Sequence, residues 1–288
     1  MTENQPGKPC NYLQAISLED REYLRLSRFI MSQFGIKLPP NKKTLLQGRL
    51  QKRLKALQHN SFKEYVDYIF SDEGMKNEVA NMIDAVSTNK TDFFREPVHF
   101  EYLYNHGLLE YLTTSARYNL NIWSAGCSSG EEPYSIAMTL MEYAGSTGNP
   151  EFSILATDIS DSVLQHAIVG IYSDEKIRDI PQSYKKKYLL KGKNDYLHKV
   201  RISSEIRKKI QFRKFNLLSK DYHTLGKFDI IFCRNVLIYF EREVQHNILS
   251  EFCRVLNKDG LLFLGHSESI TGFTLPLQNI IPTVFKKI

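Results

Sequence analysis

The chain has 288 residues, of which 42% are hydrophobic and 24% charged, with a net charge of +6. These are the proportions of a globular protein with a sizeable core, large enough for one large domain or two smaller ones. No apolar run approaches the roughly 18–20 residues of a membrane span, and the N-terminus lacks the apolar core of a signal peptide, so a cytoplasmic chain without membrane insertion is expected. Cys10, Cys127, Cys233 and Cys253 are scattered, with no C-x-x-C and no companion histidine spacing. Neither a zinc site nor a disulfide framework is indicated, and no metal is expected. Charge is uneven: residues 171–214 hold 14 Lys and Arg against 5 Asp and Glu, a net +9, and residues 1–87 hold 13 against 10. Two basic regions on an acidic body suggest an acidic macromolecular partner, either nucleic acid or a protein surface.

Residues 1–87 read as a helical domain. Ser17 followed by Asp20 makes a capping-box-like start, and Tyr23, Leu26, Ile30 and Phe34 then recur at helical spacing. Leu46, Leu50, Leu54 and Leu57 line a second helix, Phe62, Tyr65, Val66 and Ile69 a third capped by Ser61 and Glu64, and Met75, Val79, Met82, Ile83 and Val86 a fourth. Lys42, Arg49, Lys52, Arg53 and Lys55 occupy the other faces of the second helix; on pattern alone that basic face is solvated surface. The polar stretch 88–97, with adjacent Phe93 and Phe94 and then Arg95, is no helix interior and reads as the junction to a second domain, 88–288, whose first helix runs from about Pro97 to Leu112.

From Leu120 strands and helices alternate, which predicts a mostly parallel sheet. Leu120, Ile122 and Trp123 form the first strand. Ala125 to Gly130 is a tight small-residue loop, and Glu131, Glu132 and Pro133 open a helix that runs to about Tyr143. Strand, small-residue loop and helix is how α/β folds bring backbone amides to a nucleotide-like ligand. Two carboxylates at the helix start disfavour a phosphate, and no Lys-Ser/Thr pair closes the loop. A ligand with an adenosine-like body and a cationic end, such as S-adenosylmethionine, fits better than NAD or ATP. The second strand, Phe152 to Ala156, ends in Thr157 and Asp158, where an acidic side chain can accept ribose hydroxyls. Residues 171–214 interrupt the alternation with a basic, Tyr-rich stretch expected to form short antiparallel strands, and Phe215-Asn216-Leu217 resumes the core. A buried strand, Ile230 to Cys233, empties into Arg234, Asn235 and Tyr239; Glu241 to Leu256 is an amphipathic helix, and Val284-Phe285 an edge strand.

Six segments in register resemble the chemotaxis receptor methyltransferases, the CheR family. They are Thr91-Asp-Phe-Phe-Arg-Glu96, the run from Ser124 to Tyr134, Ala156-Thr-Asp-Ile159, Asn216-Leu217, Phe232-Cys-Arg-Asn-Val236 with Tyr239-Phe240, and Gly265-His-Ser-Glu268. The resemblance covers nearly the whole chain. It implies an α/β, Rossmann-like S-adenosylmethionine-dependent methyltransferase sheet, an all-α N-terminal domain (1–87) and a small antiparallel β subdomain (171–214) inserted in the catalytic domain. It implies transfer of a methyl group from S-adenosylmethionine to the γ-carboxylate of glutamates on chemoreceptor cytoplasmic helices, leaving glutamyl methyl esters and S-adenosylhomocysteine. By resemblance Ala125, Gly126 and Glu131 meet the methionine end of the cofactor and Asp158 its ribose. Asn216 and Leu217 border the adenine, Asn235 and Val236 line the floor, and Asn89, Thr91 and Arg95 close over it. Whether Glu131 or Glu132 makes the contact stays open, because consecutive helix residues face different ways. Arg49, Lys52 and Arg53 map onto the face that docks the acidic receptor helix.

A glutamate with a pKa of about 4.3 is already an anionic nucleophile at neutral pH, so no general base is required, and no Ser-His-Asp or Cys-His set is seen. Arg95 is the candidate for steering the carboxylate, and Tyr239 for shaping the transfer pocket. Some members grip a C-terminal receptor peptide at the β subdomain by strand addition. The stretch Lys191 to His198 does not decide this, and weak or no tether use is expected. A nucleic-acid methyltransferase is the first rival, since the insertion is basic, but the place after the fourth strand reads Arg234-Asn-Val-Leu, without the Asn-Pro-Pro-aromatic pattern of base-nitrogen enzymes. A non-catalytic scaffold and an NAD-dependent dehydrogenase are further rivals. Nothing demands more than a monomer.

Overall fold

The computed structural model describes residues 16–115, 119–148 and 150–288, so Cys10 lies outside the described residues. The chain divides into two compact units, one of residues up to Phe29 with Leu38–Val86, the other of Ile30–Lys37 with Ser87–Ile288. Residues 30–37, grouped by sequence with the helical domain, thus cluster with the larger unit.

The smaller unit is helical: α1 (Asp20–Phe34, up to Phe29 in this unit), α2 (Lys43–Ala56), α3 (Phe62–Ile69), α4 (Asp72–Asn77) and α5 (Val79–Val86). Its buried side chains include Tyr23, Leu26, Leu46, Leu50, Leu54, Phe62, Tyr65, Val66 and Ile69, the positions that a 3.6-residue period selects. Helix α3 is capped by Ser61, whose Oγ accepts the Glu64 N–H at 3.2 Å while the Glu64 carboxylate accepts the Asn60 N–H at 2.8 Å. Helix α1 begins later than the expected Ser17 cap, with the Glu19 carbonyl accepting the Tyr23 N–H at 3.0 Å. The expected fourth helix is two helices, broken at Glu78, and Met75 is 44% exposed rather than inward. Two constraints force the break. Gly74 packs so closely under α3 that a Cβ there would sit 1.9 Å from the Tyr68 carbonyl oxygen. The turn at Glu78 carries its carboxylate inside, where it accepts from Arg53 Nε at 2.8 Å, Arg53 Nη2 at 2.6 Å and the Tyr65 hydroxyl at 2.9 Å.

The larger unit carries α6 (Pro97–Tyr102), a five-residue π turn, α7 (Leu108–Ser115), β1 (Asn119–Ala125), α8 (Glu131–Thr147), β2 (Glu151–Asp158) and α9 (Asp161–Val169). Then come β3 (Ile171–Ser173), α10 (Gln182–Tyr188), β4 (Leu189–Lys191), β5 (Lys199–Ile202), α11 (Ser204–Arg207) and β6 (Ile210–Lys214). The chain finishes with β7 (Phe228–Cys233), α12 (Arg242–Val255), β8 (Leu256–Leu264), β9 (Leu277–Ile281) and β10 (Val284–Lys287). Seven strands form one sheet in the order β6-β2-β1-β7-β8-β10-β9. From β6 to β8 neighbours are parallel, and β10 runs antiparallel to both β8 and β9. All six residues of β7 are buried, as an inner parallel strand covered on both faces requires. One apolar cluster holds Ile122, Ile154, Phe232 and Tyr134, and a second holds Trp123, Ile231, Tyr222 and Phe252.

Three expectations are corrected. The small antiparallel sheet, β3-β5-β4, ends at Ile202, and β6 belongs to the main sheet beside β2, so the inserted β structure stops short of residue 214. Strand β6 reads as surface because it is an edge: Ile210 is buried while Gln211, Arg213 and Lys214 are exposed. Within the stretch expected to form short antiparallel strands, residues 184–188 lie in α10, where Tyr184 and Tyr188 fall four apart on one face with ring centroids 6.0 Å apart. Val284 and Phe285 belong to an inner strand, and the edge is β9, whose weakly patterned sequence carries no strand signal.

Candidate active site

The sheet's topology reverses at β1, with β2 on one side and β7 on the other, and the loops leaving these strands meet at their C-terminal ends. Gly126, at φ +82°, has no room for a side chain, since a Cβ would lie 2.4 Å from Val236 Cγ2. The N–H groups of Gly126 and Cys127 both donate to the Thr157 carbonyl at 2.8 Å, folding the loop back over β2. Asp158 pins it further: its carboxylate accepts the Ser128 N–H at 2.8 Å and the Ser160 N–H at 3.0 Å. The Ser128 hydroxyl donates to the Asn89 carbonyl at 2.9 Å, which fastens the segment before α6 to the loop. The Thr91 carbonyl accepts from Lys176 at 2.6 Å. Asn89, Thr91, Ala125, Gly126, Glu131, Asp158, Asn235 and Val236 are therefore gathered in one connected region.

The paired glutamates separate as consecutive helix residues must. Glu131 turns to the loop, accepting from Ser129 at 2.7 Å with the Lys176 ammonium 3.6 Å away. Burial pushes its carboxyl above the usual range, against the lowering effect of the Ser129 hydroxyl and Lys176. Glu132 turns inward, accepting from Ser124 at 2.7 Å and from Arg234 at 3.3 Å, and burial likewise pushes it up against Arg234. Arg234 is buried and also donates to Glu96 at 3.0 Å and to the Arg95 carbonyl. Burial raises Glu96, but the Arg234 guanidinium together with His266 offsets this and holds the carboxyl below its ordinary value. Arg95 differs from Arg234. It is half-buried, its guanidinium donates only to the Lys90 carbonyl at 3.2 Å, and it has no carboxylate partner among the described residues.

The loop after β7 is held by a residue outside the predicted set. The Glu268 carboxylate accepts four backbone N–H groups: Asn235 at 3.0 Å, Val236 at 2.9 Å, Leu237 at 2.7 Å and Gly265 at 2.5 Å. This clamp fixes Asn235 in the left-handed region, φ 59°, and seats Val236 against Gly126. Lys176, Arg234, Glu96 and Glu268 thus complete the site. Arg234 and Glu268 sit inside quoted sequence motifs, yet only their three-dimensional partners reveal their parts.

The other expected residues fall as follows. Asn216 follows β6, its amide donating to the Gln33 carbonyl at 2.9 Å and its Oδ1 accepting the Leu218 N–H at 2.9 Å. Leu217 is buried, and the Phe215 N–H donates to the Asp158 carbonyl at 3.0 Å, tying this turn to the end of β2. Tyr239 closes a 3-10 turn after β7, half-buried, its phenol without a hydrogen-bond partner among the described residues. On α2, Lys52 is exposed, Arg49 donates to the Val86 carbonyl, and Arg53 is committed to Glu78. Phe93 is buried in the core of the larger unit and packs edge-on against Tyr172 at 4.9 Å.

A family model described as the CheR methyltransferase SAM binding domain matches residues 89–285, and one described as the CheR methyltransferase all-alpha domain matches residues 21–87. The chain belongs to the CheR methyltransferase family. It is 41% identical over 276 residues to a chemotaxis protein methyltransferase of Borreliella burgdorferi, spanning 94% of this chain and 96% of that one. A chemotaxis protein methyltransferase of Escherichia coli is 37% identical over 288 residues, 97% and 98% of the two chains. Chemotaxis protein methyltransferase 2 of Pseudomonas aeruginosa is 38% identical over 251 residues, 87% of each. The protein is an S-adenosylmethionine-dependent methyltransferase. Its loop is compatible with that donor: no lysine or arginine lies between Ser124 and Gly130, and the Glu131 carboxylate stands at the start of α8 beside the loop.

Proposed function

We propose that this CheR-family enzyme methylates the γ-carboxylates of glutamates on the cytoplasmic helices of chemoreceptors, yielding glutamyl methyl esters and S-adenosylhomocysteine in chemotaxis adaptation. The observation that carries the reading is Arg95: a half-buried guanidinium without a carboxylate of its own, on a segment fastened to the donor loop through Asn89 and Ser128.

When bound, S-adenosylmethionine would supply a sulfonium methyl to a carboxylate oxygen, the electron pair of the broken carbon–sulfur bond going to sulfur. The nucleophile arrives ionised, so the chain's task is positioning, which can lower a barrier by about 7–11 kcal/mol in favourable cases. Arg95 forks onto the incoming carboxylate and orients it. Its tie to the Lys90 carbonyl keeps it from neutralising the ground state fully, which would slow attack. The Tyr239 phenol, free of internal partners among the described residues, shapes the pocket. Glu131 and the pinned Gly loop receive the methionine end, Asp158 the ribose, Asn216 and Leu217 the adenine edge, and Asn235 and Val236 the floor. Exposed Lys52 and the neighbouring Arg49 give α2 a basic face for an acidic receptor helix, with Arg53 acting through the packing of the helical unit. The enzyme works as a cytoplasmic monomer.

Tandem mass spectrometry of a receptor cytoplasmic fragment incubated with enzyme and S-adenosylmethionine tests this. Methyl groups confined to glutamate side chains support the reading; methyl groups on lysine, or on RNA in a parallel incubation, overturn it.

A further inference from the structure

We propose that Glu96, His99 and His266 form a binding site for a divalent transition metal of the zinc class. One carboxylate oxygen and one ring nitrogen from each histidine lie within 4.8 Å of one another. His99 Nδ1 stands 3.6 Å and His266 Nε2 3.9 Å from Glu96 Oε2. Ligands of a tetrahedral zinc ion are about 3.3 Å apart, as bond lengths of about 2.0–2.1 Å dictate, so the two glutamate–histidine pairs need to close by well under an ångström. The widest separation, up to 4.8 Å, must close by about 1.5 Å, a movement left to the exposed His266 side chain.

The independent mark is His99. It is fully buried, and its Nδ1, aimed at Glu96, has no hydrogen-bond partner. Its other nitrogen, Nε2, is 2.8 Å from the Thr283 hydroxyl. The Thr283 hydroxyl donates to the Pro282 carbonyl at 2.6 Å and so accepts from Nε2, the tautomer that leaves the lone pair on Nδ1, the arrangement by which outer-shell groups prepare a histidine ligand. The ring is also held by edge contacts with Phe263 at 5.6 Å and His266 at 5.4 Å.

The local charge admits a cation. Two largely buried carboxylates, Glu96 and Glu132, share a single guanidinium, Arg234. An ion on Glu96 Oε2 competes with Arg234 Nη2, now 3.0 Å from that oxygen. The site is therefore reversible rather than structural. Three protein ligands leave the fourth position to water, open on the His266 side, where the imidazole is 56% exposed. Spacing hides the site, since His266 lies 170 residues beyond Glu96.

The test is calorimetric titration of the metal-stripped full chain with zinc chloride, paralleled by visible absorption on adding Co2+. One equivalent of zinc should bind, and Co2+ should give the bands of a low-coordinate nitrogen and oxygen site. His266→Ala removes an exposed ligand without opening the core, so its circular dichroism should match the parent. It should weaken zinc by about tenfold or more, since even outer-shell losses cost ~10–100-fold. Glu96→Gln should weaken it similarly. Absence of stoichiometric binding, or His266→Ala binding as tightly as the parent, overturns the proposal.

Discussion

Gly126→Ala isolates the geometry on which the donor cradle depends. The new Cβ would sit 2.4 Å from Val236 Cγ2 and 3.3 Å from Cγ1, on backbone at φ +82°. The left-handed conformation costs a side-chain-bearing residue about 1–2 kcal/mol, and overpacking a tight site adds about 1–3 kcal/mol. Neither neighbour yields easily: Gly126 is tied to Thr157, and Val236 is held by Glu268. If the strain falls on the binding-competent loop, S-adenosylmethionine affinity drops by at least about thirtyfold, at ~1.4 kcal/mol per decade. Val236→Ala in the same chain removes both γ carbons, so the double variant should regain the overpacking share and keep only the backbone share, about 1–2 kcal/mol. Calorimetric titration of the parent, both single variants and the double variant gives the coupling directly. Gly126→Ala binding within threefold of the parent, or a double variant no better than Gly126→Ala, would refute the reasoning.

Arg53→Ala should destabilise the helical unit by about 3 kcal/mol, because it leaves the buried Glu78 carboxylate without its cation, whereas Lys52→Ala should stay within ~0.5 kcal/mol; urea unfolding distinguishes them. Equal stability of the two variants would contradict the structural role of Arg53. Glu268→Gln swaps one acceptor oxygen for an amide donor facing N–H groups, and should lower stability by about 2 kcal/mol and weaken donor binding in parallel. Unchanged binding would show that the Asn235–Leu237 turn needs no clamp. Burial pushes the Cys127 and Cys233 thiols well up and Cys253 to about 11, so none of the three should react with a thiol reagent in the folded protein at pH 8. Rapid labelling of Cys127, mapped by mass spectrometry, would contradict its burial. A receptor C-terminal pentapeptide should bind the β3-β5-β4 sheet weakly or not at all by calorimetry, and tight binding would overturn that expectation.

The sheet was legible in the sequence because its central strands are apolar runs and its helices amphipathic, and both signals survive without neighbours. Edges were not. Strand β6 alternates with charged residues and β9 is half-exposed, so each resembles a loop. The helix carrying Tyr184 and Tyr188 is hidden within a stretch expected to hold short strands, because a tyrosine-rich basic run suits either strand or helix until its packing partner is known. In the site, loop residues announced themselves through glycine and acidic punctuation. Glu268 and Arg234 did not, since their roles consist of backbone N–H groups and carboxylates brought from distant positions. Arg53 shows the converse: on pattern alone its helix face reads as solvated surface, and by resemblance as docking surface, while the buried Glu78 behind it commits the side chain to an internal ion pair.

The most direct test of carboxylate methylation at this site uses methyl-labelled S-adenosylmethionine, receptor-rich membranes from the same cell, and capture of volatile methanol after mild alkali. The account predicts alkali-labile label that falls far more with Arg95→Ala than donor binding measured in parallel. Alkali-stable label on protein or nucleic acid, or full transfer by Arg95→Ala, would contradict it.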